Sequence, residues 1–117
     1  MLESALEPVF ERFNVQLALW GHVHDYERTC AVRRRKCVGP SQNGTTHVII
    51  GNAGHGVHDV PGRAYQCGLW IYPEPEWIAF RTMEHGYSRL TANLTSLHFE
   101  AVMNRDRQVH DAFWLRA

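Results

Sequence analysis

Residues 21–28 read Gly21-His22-Val23-His24-Asp25-Tyr26-Glu27-Arg28, and they directly follow the apolar run of residues 15–20. That run predicts a short buried strand, and Gly21 allows a sharp turn as the chain leaves it. In open α/β sheets, ligands bind just beyond the carboxyl ends of the strands. His22 and His24 therefore occupy the position where such a fold binds its ligands.

The spacing of these two histidines favours a shared site. In an extended segment, side chains two residues apart point the same way, so we expect both imidazoles to face one cleft. The pattern predicts a site for two metal ions, or for one metal ion and a phosphate. A Gly-His-x-His string also occurs by chance, and a surface pair of histidines is the alternative interpretation.

Residues 2–13 precede the strand and repeat apolar side chains at helical spacing, which predicts an amphipathic helix. Pro8 is expected to start or kink this helix, and Asn14 is expected to end it in a left-handed conformation. A helix that leads into a buried strand, with polar residues after the strand, is half of an α/β unit.

The rest of the chain is predicted to alternate between strands and loops. Residues 29–44 are polar and predict a long exposed loop with a tight turn at Asn43-Gly44. Residues 59–85 contain several prolines and aromatic residues and predict an ordered loop lying on the sheet. The predicted strands span residues 45–50, 86–92, 96–103 and 109–115. We expect the last three to extend the sheet as an antiparallel edge.

The loop after residue 50 reads Gly51-Asn52-Ala53-Gly54-His55-Gly56-Val57-His58. A phosphate-binding loop is one interpretation, but no Gly-Lys-Ser/Thr sequence follows. We favour a strand-to-loop turn in which glycine supplies a positive φ.

Composition is that of an ordinary globular domain of 117 residues with a formal net charge of zero. Zero charge favours neither nucleic acid nor an anionic membrane as a partner, and no apolar run approaches the roughly 20 residues of a membrane span. The basic residues 32–36 predict a solvated loop, with a rim that attracts phosphorylated substrates as the alternative. We expect no signal peptide within this chain.

The cysteines and the glycosylation sequons indicate whether the parent protein is secreted. Cys30 and Cys37 can close a loop around the basic residues if the parent protein is secreted. Cys67 would then be free or would pair outside the chain. The sequons at Asn43 and Asn93 predict glycosylation and give weak support for secretion.

Residues 21–28 closely resemble the last metal-binding motif of the purple acid phosphatases, within the calcineurin-like metallophosphoesterases, and the resemblance continues through residues 46–54. It implies an α/β fold, or α+β for this piece alone. The chain would be the C-terminal part of a four-layer β-sandwich with flanking helices, ending in antiparallel strands. Residues 1–117 would form the C-terminal portion of one catalytic domain whose N-terminal half is absent.

The resemblance also implies a function, the hydrolysis of phosphoric esters by an acid phosphatase. Its binuclear metal centre would hold Fe(III) beside Zn, Mn or Fe(II), with His22 on the divalent ion and His24 on the ferric ion. The remaining ligands would come from the N-terminal half. Candidates to orient the ligands or contact substrate are Tyr26, Glu27, Arg28, Asn52 and His55. For Arg28 we favour a structural ion pair.

Two alternatives remain. The chain is a catalytically inactive fragment or interaction module, or it is a small independent metal-binding protein that uses His22, His24, His55 and His58. In the favoured interpretation the partner is a phosphate ester, the full-length parent is secreted or vacuolar, and exposed sheet edges promote association such as homodimerisation.

Overall fold

The computed structural model describes residues 2–56 and 76–116. These residues form one α-helix, one short 3-10 turn at Pro40–Gln42, and eight β-strands. The helix is α1 (Leu2–Phe13), and the strands are β1 (Leu17–Trp20), β2 (Tyr26–Arg33), β3 (Lys36–Cys37), β4 (Thr45–Ile50), β5 (Ile78–Thr82), β6 (Gly86–Ala92), β7 (Ser96–Met103) and β8 (Val109–Arg116). The helix in this part of the chain lacks the length and apolar character that crossing a bilayer requires.

Two sheets make up the fold. The first has five strands, in which β4 lies between β1 and β2, and β3 and β5 both pair with β2. Strands β1 and β4 run parallel, with Leu17 opposite Thr46 and Trp20 opposite Ile49. The other pairs are antiparallel. The second sheet contains β6, β7 and β8 in that order, all antiparallel.

The hydrophobic core lies between the two sheets. Neighbouring residues of a strand point to opposite faces, so Val48 of β4 faces the second sheet while His47 faces α1. The core cluster consists of Tyr26, Val48, Phe99, Ala101 and Met103. On the other face of the first sheet, the Phe10 ring of α1 lies 6.0 Å from the ring of His47.

Helix α1 agrees closely with the prediction for residues 2–13, and it continues through Pro8 rather than starting there. Asn14 ends it with a φ of 50°, as predicted. Strand β4 spans the predicted residues 45–50. The last three strands also lie where they were predicted.

Strand β1 differs from its prediction in length and burial. It begins at Leu17 rather than at residue 15, and within the described residues it pairs only with β4. Leu19 is substantially exposed. Among the described strands, the apolar run is therefore half-covered and lies at the edge of the sheet, because an apolar sequence does not reveal which strands lie beside it.

The loop predicted for residues 29–44 is wrong up to residue 37, whereas residues 38–44 lie outside the strands and Asn43 turns the chain with a φ of 53°, as predicted. Residues 26–33 form β2, which pairs on both sides, and Arg34 and Arg35 turn the chain into β3 with positive φ angles of 50° and 62°. Pairing with two neighbouring strands outweighs the polar composition here. Cys30 and Cys37 form a disulfide across this β2–β3 hairpin, the pairing that the sequence allowed for a secreted parent.

The basic residues 32–36 are solvated at Arg34, Arg35 and Lys36, as predicted, but they do not form one loop. They form the end of β2, the turn and the start of β3, and they hold α1 on the sheet. Glu11 of α1 accepts hydrogen bonds from Arg33 and Arg34, each at 3.2 Å. These two guanidinium groups lower the pKa of the Glu11 carboxyl.

The ordered loop predicted for residues 59–85 is wrong at residues 78–82, which form β5. Most of that prediction lies outside the described residues. The expectation that the C-terminal strands extend the first sheet is also wrong. They form a separate sheet that packs on its face, and so they supply a second layer over the core.

Candidate functional site

Two loops meet at the carboxyl ends of the parallel strands β1 and β4. Residues 21–25 follow β1 and residues 51–56 follow β4. Because parallel strands end at the same edge of a sheet, the two loops lie side by side, which is the position where α/β sheets bind ligands. His22 and His24 occupy the first loop, as predicted.

The conformation of the first loop is not the expected one. Residues 22–25 bend rather than extend, and His22 takes a positive φ of 80°. We expected Gly21 to provide the turn, but the left-handed residue is the histidine that follows it. The alternation of an extended segment therefore does not apply here. His22 is exposed at the surface, whereas His24 is half-buried.

Gly51 joins the two loops by close approach. A Cβ atom at this position would lie 1.7 Å from the carbonyl oxygen of Val23. The backbone N–H of Gly51 also donates a 3.0 Å hydrogen bond to the carbonyl of Asp25. Glycine is thus required for space rather than for the positive φ that the sequence suggested.

Asn52 holds the second loop to the start of β6. Its side chain is almost fully buried, and Nδ2 donates a 2.8 Å hydrogen bond to the carbonyl of Glu84. Its own carbonyl accepts a 3.2 Å hydrogen bond from the N–H of Gly86. These contacts give Asn52 a structural role in the loop, and its suggested role beside metal ligands or substrate stays a prediction.

His55 lies against His24. The two imidazole rings are stacked, with their centroids 4.3 Å apart and their planes inclined by 25°. The carbonyl of His55 is 3.2 Å from Nε2 of His85. The structure therefore brings three histidines from separate segments to this end of the sheet. His58, which the sequence also suggested, lies outside the described residues.

Tyr26 and Arg28 point away from these loops and into the contact between the sheets. Arg28 forms a bidentate ion pair with Asp111 of β8, at 2.7 and 2.8 Å. The structural ion pair predicted for Arg28 is thus confirmed. The Tyr26 hydroxyl donates to the same carboxylate at 2.8 Å. Burial, and then this hydrogen bond, raise the pKa of Tyr26 well above its ordinary value.

Asp25 and Glu27 lie on the opposite face of the chain from Tyr26, and Arg81 of β5 joins them. Asp25 Oδ2 accepts hydrogen bonds from Arg81 Nε and Nη2 at 3.1 and 2.9 Å. Arg81 Nε also lies 3.5 Å from Glu27 Oε2. Arg81 and Asp111 could not be predicted from the sequence, because each is far from its partner along the chain and has no motif around it.

The donor groups at this end of the sheet fit part of a metal site. Two imidazoles suit iron and zinc, and Asp25 presents a buried Oδ1 without a hydrogen-bond partner among the described residues. In residues 2–56 and 76–116, however, no three histidine, cysteine, aspartate or glutamate side chains converge to hold a metal ion. Further ligands would have to come from elsewhere.

Comparison with known proteins gives one consistent result. Residues 44–112 match the family described as "Iron/zinc purple acid phosphatase-like protein C". The chain is 41% identical to "Probable inactive purple acid phosphatase 9" of Arabidopsis thaliana over 91% of its own length and 16% of that protein. It is 33% identical to "Nucleotide pyrophosphatase/phosphodiesterase" of Hordeum vulgare over 94% of its length and 29% of that protein.

A solved structure has the same fold. The purple acid phosphatase PPD1 from yellow lupin seeds superimposes with a TM-score of 0.78 at 28% identity, covering 95% of this chain and 19% of the lupin chain. The α/β class and the position of the described strands at the C-terminal part of such a protein agree with the prediction. The chain spans less than a third of the length of each of these proteins.

Proposed function

The chain belongs to the purple acid phosphatase family, and we propose that it contributes His22 and His24 to a metal centre that hydrolyses phosphate esters. The single observation that carries the proposal is the position of this pair. Both histidines occupy the loop at the carboxyl end of β1, beside the loop that follows the parallel strand β4. The remaining ligands would lie outside this chain.

The chain's own residues would bind the metal ions and hold the ligand side chains in position. His22 would bind the divalent ion and His24 the ferric ion, each through one ring nitrogen, with the other nitrogen directed to an acceptor. A bound binuclear centre supplies Lewis-acid activation of the phosphate ester and of water. The Gly51 contact and the Arg81–Asp25 ion pair would keep the histidine loop fixed to the sheet.

The proposal also covers the identity of the metal ions and the cellular location of the parent protein. Iron(III) with zinc, manganese or iron(II) is the centre that family membership favours. A secreted or vacuolar parent would accommodate the Cys30–Cys37 disulfide, because disulfides persist in oxidising compartments. Glycans at Asn43 and Asn93 fit the same location, since both residues are exposed.

A second candidate function is that of a family member without hydrolytic activity. The Arabidopsis relative at 41% identity is named a probable inactive purple acid phosphatase. In that case the chain would retain the fold and its histidine loop while serving a binding role.

A chimera tests the proposal. The matching C-terminal segment of the yellow lupin purple acid phosphatase would be replaced by this chain, and hydrolysis of p-nitrophenyl phosphate and bound iron and zinc would be measured. We expect an active chimera that loses most of its activity and metal when His22 or His24 is changed to alanine. The matched control is His98→Ala, which removes a histidine on β7, outside both loops.

The outcomes separate the two candidates. A folded chimera that binds metal but does not hydrolyse the ester favours the inactive alternative. A folded chimera whose metal content is unaffected by both histidine substitutions contradicts the proposed metal-binding role. The isolated 117-residue chain is expected to be inactive on the same substrate, because the histidine pair alone cannot hold two metal ions.

A further inference from the structure

We propose that His55 is a positioning residue for His24, holding its imidazole in one orientation by ring stacking, a role that rests on the proposed function of His24 as a metal ligand. The two rings lie with centroids 4.3 Å apart and planes 25° from parallel. That separation is slightly shorter than the roughly 4.5–7 Å of favourable aromatic pairs, so the rings are in direct contact. One face of the His24 ring is therefore covered by the ring of His55.

His55 can act as a support because the backbone beneath it is fixed at several points. Gly51 donates to the carbonyl of Asp25 at 3.0 Å, which ties the start of the loop to the histidine loop. Asn52 is bonded to the segment before β6 through both its side chain and its carbonyl. The His55 carbonyl lies 3.2 Å from His85 Nε2. The loop is thus anchored before His55, at Gly51 and Asn52, and at the His55 carbonyl itself.

The β5–β6 connection that receives these bonds is itself held by the second sheet. The N–H of Asn104, just after β7, donates a 2.8 Å hydrogen bond to the carbonyl of His85. Gly86 is buried where β6 begins, and it pairs with Met103 in the core strand β7. A continuous series of backbone contacts therefore connects the position of His55 to the rigid core.

Orientation of a ligand ring matters because its nitrogen must be directed at the metal. An imidazole on a surface loop rotates about two side-chain bonds, and fixing it before binding reduces the entropy lost when the metal arrives. Stacking needs only a flat ring and no metal-binding nitrogen. A phenyl ring at position 55 should therefore replace the imidazole, whereas a ligand or a substrate-binding histidine could not be replaced in this way.

The test uses the 117-residue chain, with histidine ring signals followed by NMR and with zinc ions as the probe. In the metal-free chain, the ring current of residue 55 should displace the ring signals of His24. His55→Ala should abolish this ring-current displacement, and His55→Phe should retain one. On zinc titration, His55→Ala should weaken binding roughly three- to tenfold, and His55→Phe should bind within about twofold of the unchanged chain.

His98→Ala is the matched control, since it removes another stacked histidine, whose ring lies 4.2 Å from that of Trp114. It should leave the His24 signals and zinc affinity unchanged. Unchanged His24 ring signals in His55→Ala would overturn the positioning role, as would equal loss of affinity in the alanine and phenylalanine variants. If zinc causes no changes at His22 and His24 in the unchanged chain, the metal-free ring signals still decide the role of His55, and the chimera described above decides the proposed function.

Discussion

Arg28 of β2 and Asp111 of β8 form a two-pronged ion pair that joins the two sheets across the core, with N–O distances of 2.7 and 2.8 Å. The Arg28 guanidinium also lies 5.2 Å from the centre of the Phe113 ring. The Tyr26 hydroxyl donates to the same carboxylate. One carboxylate therefore satisfies two polar side chains of the histidine motif that would otherwise be buried without partners.

We expect Asp111→Asn to destabilise the chain by about 3 kcal/mol or more, because it leaves the Arg28 charge in the sheet interface without its partner. Denaturation by urea, followed by circular dichroism, measures this change. The matched control is Arg89→Gln, which breaks a 2.8 Å pair with Glu100 on the surface of the second sheet. This substitution should lower the free energy of unfolding by no more than about 1 kcal/mol. Equal effects of the two substitutions would refute a special role for the interface pair.

Gly51→Ala is expected to destabilise the chain by about 1–3 kcal/mol, because the added methyl group overlaps the carbonyl of Val23 and forces the two loops apart. The NMR signals of His24 should move in the same variant. Gly54→Ala is the control, since a Cβ at residue 54 meets no atom within 4 Å. If both substitutions proved equally mild, the close approach at Gly51 would not matter to the site.

The sequence predicts an element of this fold when the interactions that form it join residues close together in the chain. Helix α1 and strands β4 and β7 carry their own periodicity, so local pattern sufficed for them. Strand β2 did not, because its Arg28 pairs with Asp111 and its Glu27 with Arg81, and both partners lie more than fifty positions away. Only the folded chain brings those partners together.

The candidate site likewise has features that a local motif predicts and features that depend on contacts distant in the sequence. The Gly-His-x-His motif predicted that His22 and His24 lie on the loop after β1, and Arg28 was expected to form an ion pair; the structure confirms both. The stacking of His55 on His24 depends on the parallel pairing of β1 with β4, and no spacing in the sequence contains it. The positive φ of His22 was not expected either, since the local sequence pointed to Gly21 as the turn residue.

His47 should make the stability of the chain sensitive to acid. Its Nδ1 accepts a 3.0 Å hydrogen bond from Trp20 Nε1, and burial lowers its pKa, with Glu7 opposing this in part. The unfolded chain takes up a proton near the ordinary histidine pKa of about 6.5, while the folded chain does so only at lower pH. The free energy of unfolding therefore falls as pH drops below about 6.5.

The variant His47→Asn tests this, because an amide oxygen can accept from Trp20 but does not titrate. Its free energy of unfolding should depend less steeply on pH between about pH 7 and about pH 5. His110→Asn, at an exposed pair with Asp106, serves as the control. A slope unchanged from the unmodified chain would show that His47 does not set the acid sensitivity.

The Cys30–Cys37 disulfide should stabilise the chain and the attachment of its helix together. It closes a hairpin of seven-residue separation, for which the chain-entropy relation gives about 2–3 kcal/mol. The same hairpin carries Arg33 and Arg34, whose guanidinium groups bind Glu11 of α1. We therefore expect the double variant Cys30→Ser, Cys37→Ser to lose about 2–3 kcal/mol of stability and to show faster amide exchange in α1. Cys67→Ser is the control, and it should retain the disulfide when alkylation is followed by mass spectrometry. Stability that is the same with and without the disulfide would mean that strand pairing and the Glu11 ion pairs alone hold the hairpin in place.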